Sequence, residues 1–131
     1  LQGARWIKLN EAELALLVPQ VAALQAQMRQ LQQHCDAELL IVTRGAAGAV
    51  VLTSGGEQFT VVPQDHGAVI DTVGAGDAFT SVMTLGLLSG WDAPLMLERA
   101  QAFASAITRI RGATCNDPAF YQPFIDDWVL K

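Results

Sequence analysis

Apolar residues fall in short, sharply bounded runs along this chain, and their spacing predicts alternating strands and helices. Residues 5–9 (RWIKL) are compact and apolar enough for a buried strand. Asn10 then opens a helical stretch, EAELALL, that stops near Pro19. From Val21 the apolar positions Val21, Leu24, Met28 and Leu31 step by three, four and three with Gln and Arg between them, which describes a helix with one buried stripe. The run LLIVT at 39–43 is apolar at consecutive positions and closed by a Gly-containing turn, as expected of a strand covered on both faces. Two β-rich runs, 49–53 and 58–62, flank Ser54, Gly55, Gly56 and Glu57 and predict a hairpin.

A short apolar run at 68–70 precedes the Gly-rich turn DTVGAGD at 71–77. The turn leads into a segment, about 75–88, so apolar that an almost wholly buried helix is expected. Asp92 is a good N-cap with Pro94 just inside, and Leu97, Ala100, Phe103, Ala104, Ile107 and Ile110 follow at helical steps. Gly112 to Pro118 reads as a loop, and 118–130 carries Phe120, Phe124, Ile125 and Trp128 as a last short helix. No repeat, linker or low-complexity tract interrupts this order, so one layered α/β unit is the economical architecture.

Composition narrows the class. A length of 131 residues corresponds to one domain, and 51% hydrophobic against 16% charged residues excludes a disordered chain. Eight Lys plus Arg against thirteen Asp plus Glu give 8 − 13 = −5, which leaves no basic footprint for nucleic acid. Every apolar run breaks before the roughly 18 residues of a membrane span, and the start lacks a signal-peptide layout, so a soluble, cytoplasmic protein is expected. Cys35 and Cys115 lack zinc spacing and are expected to be buried free thiols. His34 and His66 have no partner at metal-ligand spacing and read as surface or turn residues. Trp6, Trp91 and Trp128 are scattered as packing residues would be.

The candidate chemistry lies in residues 71–77. Glycines let the backbone amides of Gly74, Ala75 and Gly76 turn toward one point, and a helix N-terminus adds positive potential there. The product is an anion hole. Asp77 stands beside it as a carboxylate able to take a proton from a nearby hydroxyl. A base next to an anion hole is what phosphoryl transfer to an alcohol requires, although a Gly-rich turn before a helix with an early Asp is also ordinary capping chemistry.

The complete string DTVGAGDAF, followed by an apolar helix containing Gly86, resembles the second signature of the ribokinase-like carbohydrate kinases, the PfkB family. That resemblance implies the C-terminal half of a three-layer α/β/α fold with a mostly parallel sheet and an edge β-hairpin. It assigns Asp77 as catalytic base and Gly74, Ala75 and Gly76 as the anion hole. WIKLNEAE resembles the strand ending in the family's NxxE motif, which places Asn10 and Glu13 at magnesium and phosphate handling; the same residues also spell a capping box. IVTRGAAGAVV resembles the strand and turn where Thr43 and Gly45 would approach the phosphates of ATP, with Arg44 either offsetting charge or facing solvent. AFASAITRIRGAT resembles the family's late helix and loop over the adenosine, with Gln101 and Asn116 as candidate nucleotide contacts. Asp71 stands where some relatives bind a monovalent cation such as K+.

The resemblance runs along the whole chain yet covers only the later half of a family member. The earlier Gly-Gly signature, the sugar-holding residues and the small β lid are absent from it. Residues 1–131 are therefore expected to be the nucleotide-binding and catalytic portion of a sugar kinase, a truncated domain inactive alone and prone to self-association through an unpaired apolar sheet edge. The complete protein would move the γ-phosphate of ATP to a sugar hydroxyl. The alternatives are a non-catalytic nucleotide-binding fragment or pseudokinase module, and the same fold acting on a nucleoside or a pyridoxal-like acceptor.

Overall fold

The computed structural model describes residues 3–63, 74–110 and 115–128. Strand β1 (Trp6–Asn10) runs straight into helix α1 (Glu11–Leu17), followed by α2 (Leu24–Cys35), β2 (Leu39–Thr43), a 3-10 turn (Gly45–Ala47), β3 (Ala49–Thr53) and β4 (Gln58–Val61). Three helices follow: α3 (Ala75–Ser89), α4 (Ala93–Ile107) and α5 (Pro118–Asp127). The described strands form one sheet in the order β1-β2-β3-β4. β1 is parallel to β2, with Trp6 opposite Leu39 and Asn10 opposite Thr43, whereas the β2–β3 and β3–β4 pairs are antiparallel.

The alternation of side chains along the strands sorts the core into two layers. Leu40 and Val42 of β2 and Val50 and Leu52 of β3 join Leu14 of α1 and Met28 and Leu31 of α2 on one face. Ile41, Ala49 and Val51 face the other way, toward Phe79, Val82 and Met83 of α3 and Met96, Leu97 and Ala100 of α4. A run that is apolar at every position is thus required by helices on both sides. This is the three-layer α/β/α arrangement that the resemblance implies, with the β3–β4 hairpin at the sheet edge.

Helix α2 starts three residues after Val21. Between α1 and α2 the chain turns through Pro19, and the side-chain amide of buried Gln27 donates to the Val21 carbonyl at 2.7 Å and the Val18 carbonyl at 3.4 Å. Gln27→Leu keeps the volume and leaves the stronger of these carbonyls without its donor, so a loss of about 1–3 kcal/mol is expected. Chemical denaturation checks it; an unchanged midpoint would show that water replaces the amide. On the surface, Arg5 forks onto Glu38 through Nε at 2.8 Å and Nη2 at 3.0 Å, tying the approach to β1 to the approach to β2. These hydrogen bonds and the paired charges hold the Glu38 carboxyl below its ordinary value and raise Arg5 above its own.

Helix α3 departs from the expected full burial. Ala78, Phe79, Val82, Met83 and Gly86 are buried, while Thr80, Ser81, Thr84 and Leu88 face solvent. Thr80, Ser81 and Thr84 donate back to the carbonyls four residues earlier at 2.8–2.9 Å, which makes the outward face self-satisfied. Gly86 sits where α3 crosses α4: a Cβ there would lie 2.8 Å from the Met96 sulfur and 2.9 Å from the Trp91 ring. Cys35 is buried and Cys115 half-buried, both as free thiols, and His34 is exposed. Trp128 is buried, Trp91 half-buried, and Trp6 is exposed with the Arg5 guanidinium 5.1 Å from its ring. His66 and the 68–70 run lie outside the described residues.

Candidate active site

The start of α3 is built by Gly74. Its backbone is left-handed, at φ +83° and ψ −3°, which an L side chain adopts only at a cost of about 1–2 kcal/mol. Ala75, Gly76 and Asp77 then occupy the first helical turn, where N–H groups have no carbonyl four residues back; the ladder begins with Ala78 N–H donating to Gly74 O at 2.9 Å. Among the described residues no side chain caps this end. A Cβ on Gly76 would meet nothing within 4 Å, so glycine there is not forced by packing.

Asp77 is exposed and lines an open groove of about 240 Å³ with Gly74, Ala78, Ser81, Phe103, Ile107 and Tyr121. The Ser81 hydroxyl donates to the Asp77 backbone carbonyl at 2.8 Å, so it does not occupy the carboxylate. The arrangement places an acceptor-only oxygen pair on an apolar-walled groove beside a helix N-terminus that no described side chain caps. Phe103 and Tyr121 reach this groove from α4 and α5, and the sequence pattern did not single them out. Phe103 lies at a helical step like any core residue, and nothing in local spacing relates position 121 to position 77.

The carboxyl ends of β1 and β2 carry the second group. Asn10 ends β1 and caps α1: its Oδ1 accepts from Glu13 N–H at 2.8 Å, and the Glu13 carboxylate accepts from the Asn10 N–H and side-chain amide, each at 3.1 Å. Half-buried Thr43 lies opposite Asn10 in the sheet. The 3-10 turn after it exposes Gly45 at φ +54° and is closed by Arg44 N–H donating to Gly48 O at 2.7 Å. Arg44 Nε donates to Glu11 at 3.3 Å, so its side chain pairs with α1.

Residues 1–119 match the family described as pfkB family carbohydrate kinase. The chain belongs to that family. It is 31% identical over 83 residues to 5-dehydro-2-deoxygluconokinase of Geobacillus thermodenitrificans, covering 62% of this chain and 23% of the relative. Its fold superposes on phosphofructokinase-2 from Escherichia coli in complex with potassium at a TM-score of 0.78 and 25% identity, covering 95% of this chain and 41% of that one. Ribokinase of Arabidopsis thaliana, complexed with ribose and ATP, superposes at a TM-score of 0.73 and 26% identity, over 82% of this chain and 36% of that one. The chain thus spans about a quarter of the length of the curated relative and about two fifths of the solved ones.

Within this PfkB-family chain the structure brings Gly74 and Asp77 together at the groove, with Ala75 and Gly76 in the same helical turn. It gathers Asn10, Glu13, Thr43 and Gly45 separately at the strand ends. Gln101 is half-buried on α4 and donates to Ser105 within its own helix at 3.1 Å, and Asn116 is exposed just before α5; neither lines the groove. Asp71 lies outside the described residues.

Among the described residues there is no cluster of three His, Cys, Asp or Glu side chains that would cage a metal. Asn10 and Glu13 fit a different role. Glu13 is exposed and each of its oxygens accepts one hydrogen bond from Asn10, which leaves acceptor capacity suited to a Mg2+ ion that retains its waters and takes most of its ligands from substrate phosphates.

Proposed function

We propose that residues 1–131 form the nucleotide-binding and catalytic portion of a kinase that transfers the γ-phosphoryl group of ATP to a sugar hydroxyl, with Asp77 as general base. The observation that carries this reading is the exposed Asp77 side chain on the groove beside the first turn of α3, which no described side chain caps. Phosphoryl transfer passes through a loose transition state with charge on the equatorial oxygens, so catalysis is mainly positioning and electrostatic stabilisation. The amides of Ala75 and Gly76 hold those oxygens, Gly74 gives the backbone its turn toward them, and the helix end adds positive potential. Asp77 takes the proton of the acceptor hydroxyl as its oxygen closes on phosphorus. Phe103 and Ile107 keep one side of the groove apolar and limit water, the competing acceptor.

Thr43 and Gly45 approach the β- and γ-phosphates from the strand ends, where α/β sheets receive ligands. Gln101 and Asn116 contact the nucleoside end. Mg2+, bound with ATP, would sit near Asn10 and Glu13 through water and supplies charge neutralisation to the triphosphate. Asp71 is assigned to a K+ site, the ion named with the phosphofructokinase-2 structure.

Family membership supports a sugar as acceptor, and the polar side chains among the described groove residues are those of Asp77, Ser81 and Tyr121, the last with its hydroxyl engaged by the Cys115 backbone. The 131-residue chain is accordingly expected to bind Mg·ATP and to release no ADP in response to sugar, because acceptor positioning supplies much of the rate. Calorimetry and a coupled ADP assay on the pure chain test both halves. Absence of ATP binding removes the nucleotide assignment; sugar-stimulated ADP release shows that acceptor binding is already present.

A further inference from the structure

Arg44 stands one residue past β2 and Glu11 one residue past β1, so the two continue the pairing that sets Asn10 opposite Thr43. Their side chains meet there, with Arg44 Nε donating to Glu11 Oε2 at 3.3 Å. The ion pair thus lies at the carboxyl ends of two parallel strands, the edge at which α/β sheets receive their ligands. Along the chain it is flanked by Thr43 and Gly45 on one side and by Asn10 on the other.

The contact is weak in form. Elsewhere on the surface Arg5 grips Glu38 with two nitrogens at 2.8 and 3.0 Å, the fork of a settled guanidinium–carboxylate pair. Arg44 gives Glu11 one longer bond, and its two terminal nitrogens have no hydrogen-bond partner among the described residues. Its backbone, by contrast, is held: the N–H donates to Gly48 O at 2.7 Å and the carbonyl accepts from Ala47 N–H at 3.0 Å. A half-buried side chain on a fixed root, with its planar fork unused, is suited to take two oxygens of one phosphate group.

Charge selects the occupant of that fork. In the segments 10–17 and 43–49 that border the strand ends, Arg44 is the only basic residue, against Glu11 and Glu13. A polyphosphate arriving beside Thr43 and Gly45 meets two carboxylates and a single cation, and Glu11 cancels part of that cation for as long as it holds it.

We propose that Arg44 binds the triphosphate of the nucleotide, and that Glu11 is a stand-in anion that keeps the guanidinium at the strand ends and yields it to the phosphate. This rests on the proposed function and adds to it one residue that meets phosphate charge and a second that tempers it.

The pure chain and its variants are titrated with Mg·ATP and, separately, with Mg·tripolyphosphate, which carries the anion without the nucleoside. Arg44→Gln keeps a polar side chain, removes the charge, and is expected to weaken both probes about tenfold, the scale of one charge-assisted contact. Glu11→Gln frees the guanidinium and is expected to tighten both probes by up to about fivefold, the scale of an exposed ion pair. In the Arg44→Gln background that gain should vanish, because nothing is left to hold. A gain that survives there makes Glu11 a mere repulsive charge and overturns the inference. Unchanged affinity in Arg44→Gln, a loss confined to Mg·ATP, or a wild-type chain that holds Mg·ATP but no Mg·tripolyphosphate overturns it as well. Should Arg44→Gln fail to fold, Arg44→Met takes its place in the cycle. A wild-type chain that binds neither probe removes the proposed function and this inference with it, whereas wild-type binding with an unaffected Arg44→Gln removes the inference only.

Discussion

Asp77→Asn, placed in a family-length kinase carrying this chain, is expected to lower kcat for sugar phosphorylation by about 10²–10⁴-fold, the range supplied by a positioned proton acceptor. Asn occupies nearly the same volume on the same exposed turn, so neither the groove nor α3 should change shape. What disappears is an oxygen pair that accepts a proton. Affinity for Mg·ATP should stay within a few-fold, because the amides of Ala75 and Gly76 and the helix end are untouched. Steady-state kinetics with varied ATP and sugar separate the two effects. A variant with wild-type kcat would remove Asp77 as base, and a variant that loses kcat and ATP affinity equally would make Asp77 a binding residue.

The largest stability loss is expected at Gly48, between the 3-10 turn and β3. Its backbone lies at φ +98° and ψ −137°, a region essentially reserved for glycine, and a Cβ there would run into the Val61 carbonyl of β4, with the carbonyl carbon at 2.8 Å. Both atoms are backbone, so no side chain can swing aside. Gly48→Ala should cost about 2–6 kcal/mol, combining backbone strain of about 1–3 with forced repacking of about 1–3. Gly45→Ala, three residues earlier, is the internal comparison: φ is +54° but a Cβ would meet nothing within 4 Å, and a loss of about 1–2 kcal/mol is expected. Urea midpoints of the two variants check the order, and equal losses would mean that the hairpin edge simply moves outward.

How much of this was legible in the sequence depends on whether the signal is local. β2 begins and ends at Leu39 and Thr43 as expected, since a run apolar at every position between a turn and a helix leaves little freedom. Asp92 caps α4 through Leu95 N–H at 2.9 Å, and Asn10 and Glu13 form the box their spacing spells. The turn at Gly74 and the exposure of Asp77 agree with a motif whose constraints are all within one turn. The apolar content of 75–88 suggests more burial than α3 has because Thr80, Ser81 and Thr84, interleaved with its large apolar residues, close their own hydrogen bonds and form an outward face. The apolar spacing starts at Val21 whereas α2 starts at Leu24, because the hold of Gln27 on the Val18 and Val21 carbonyls is a side-chain contact across six to nine residues. Phe103 and Tyr121 were not singled out for a harder reason. They become groove residues only when α5 returns across α4, an event that leaves no periodic trace in the chain.

The anchoring of α5 has a consequence for how the molecule opens. None of the ten residues of α5 is itself fully buried; Trp128 just beyond its end is, and Phe103 of α4 receives Phe120, Tyr121 and Phe124 at ring-centre distances of 5.1–6.2 Å. Tilted and edge-on ring contacts contribute only about 0.5–1.5 kcal/mol each, far less than the fully enclosed Leu40, Val42 and Val51 draw from the two-sided centre. Detachment of this last helix is therefore a low-lying excursion that leaves the four strands intact. In amide exchange its protons should be lost well ahead of those in β2, so that one side of the cleft comes and goes while the carboxylate at position 77 stays in place.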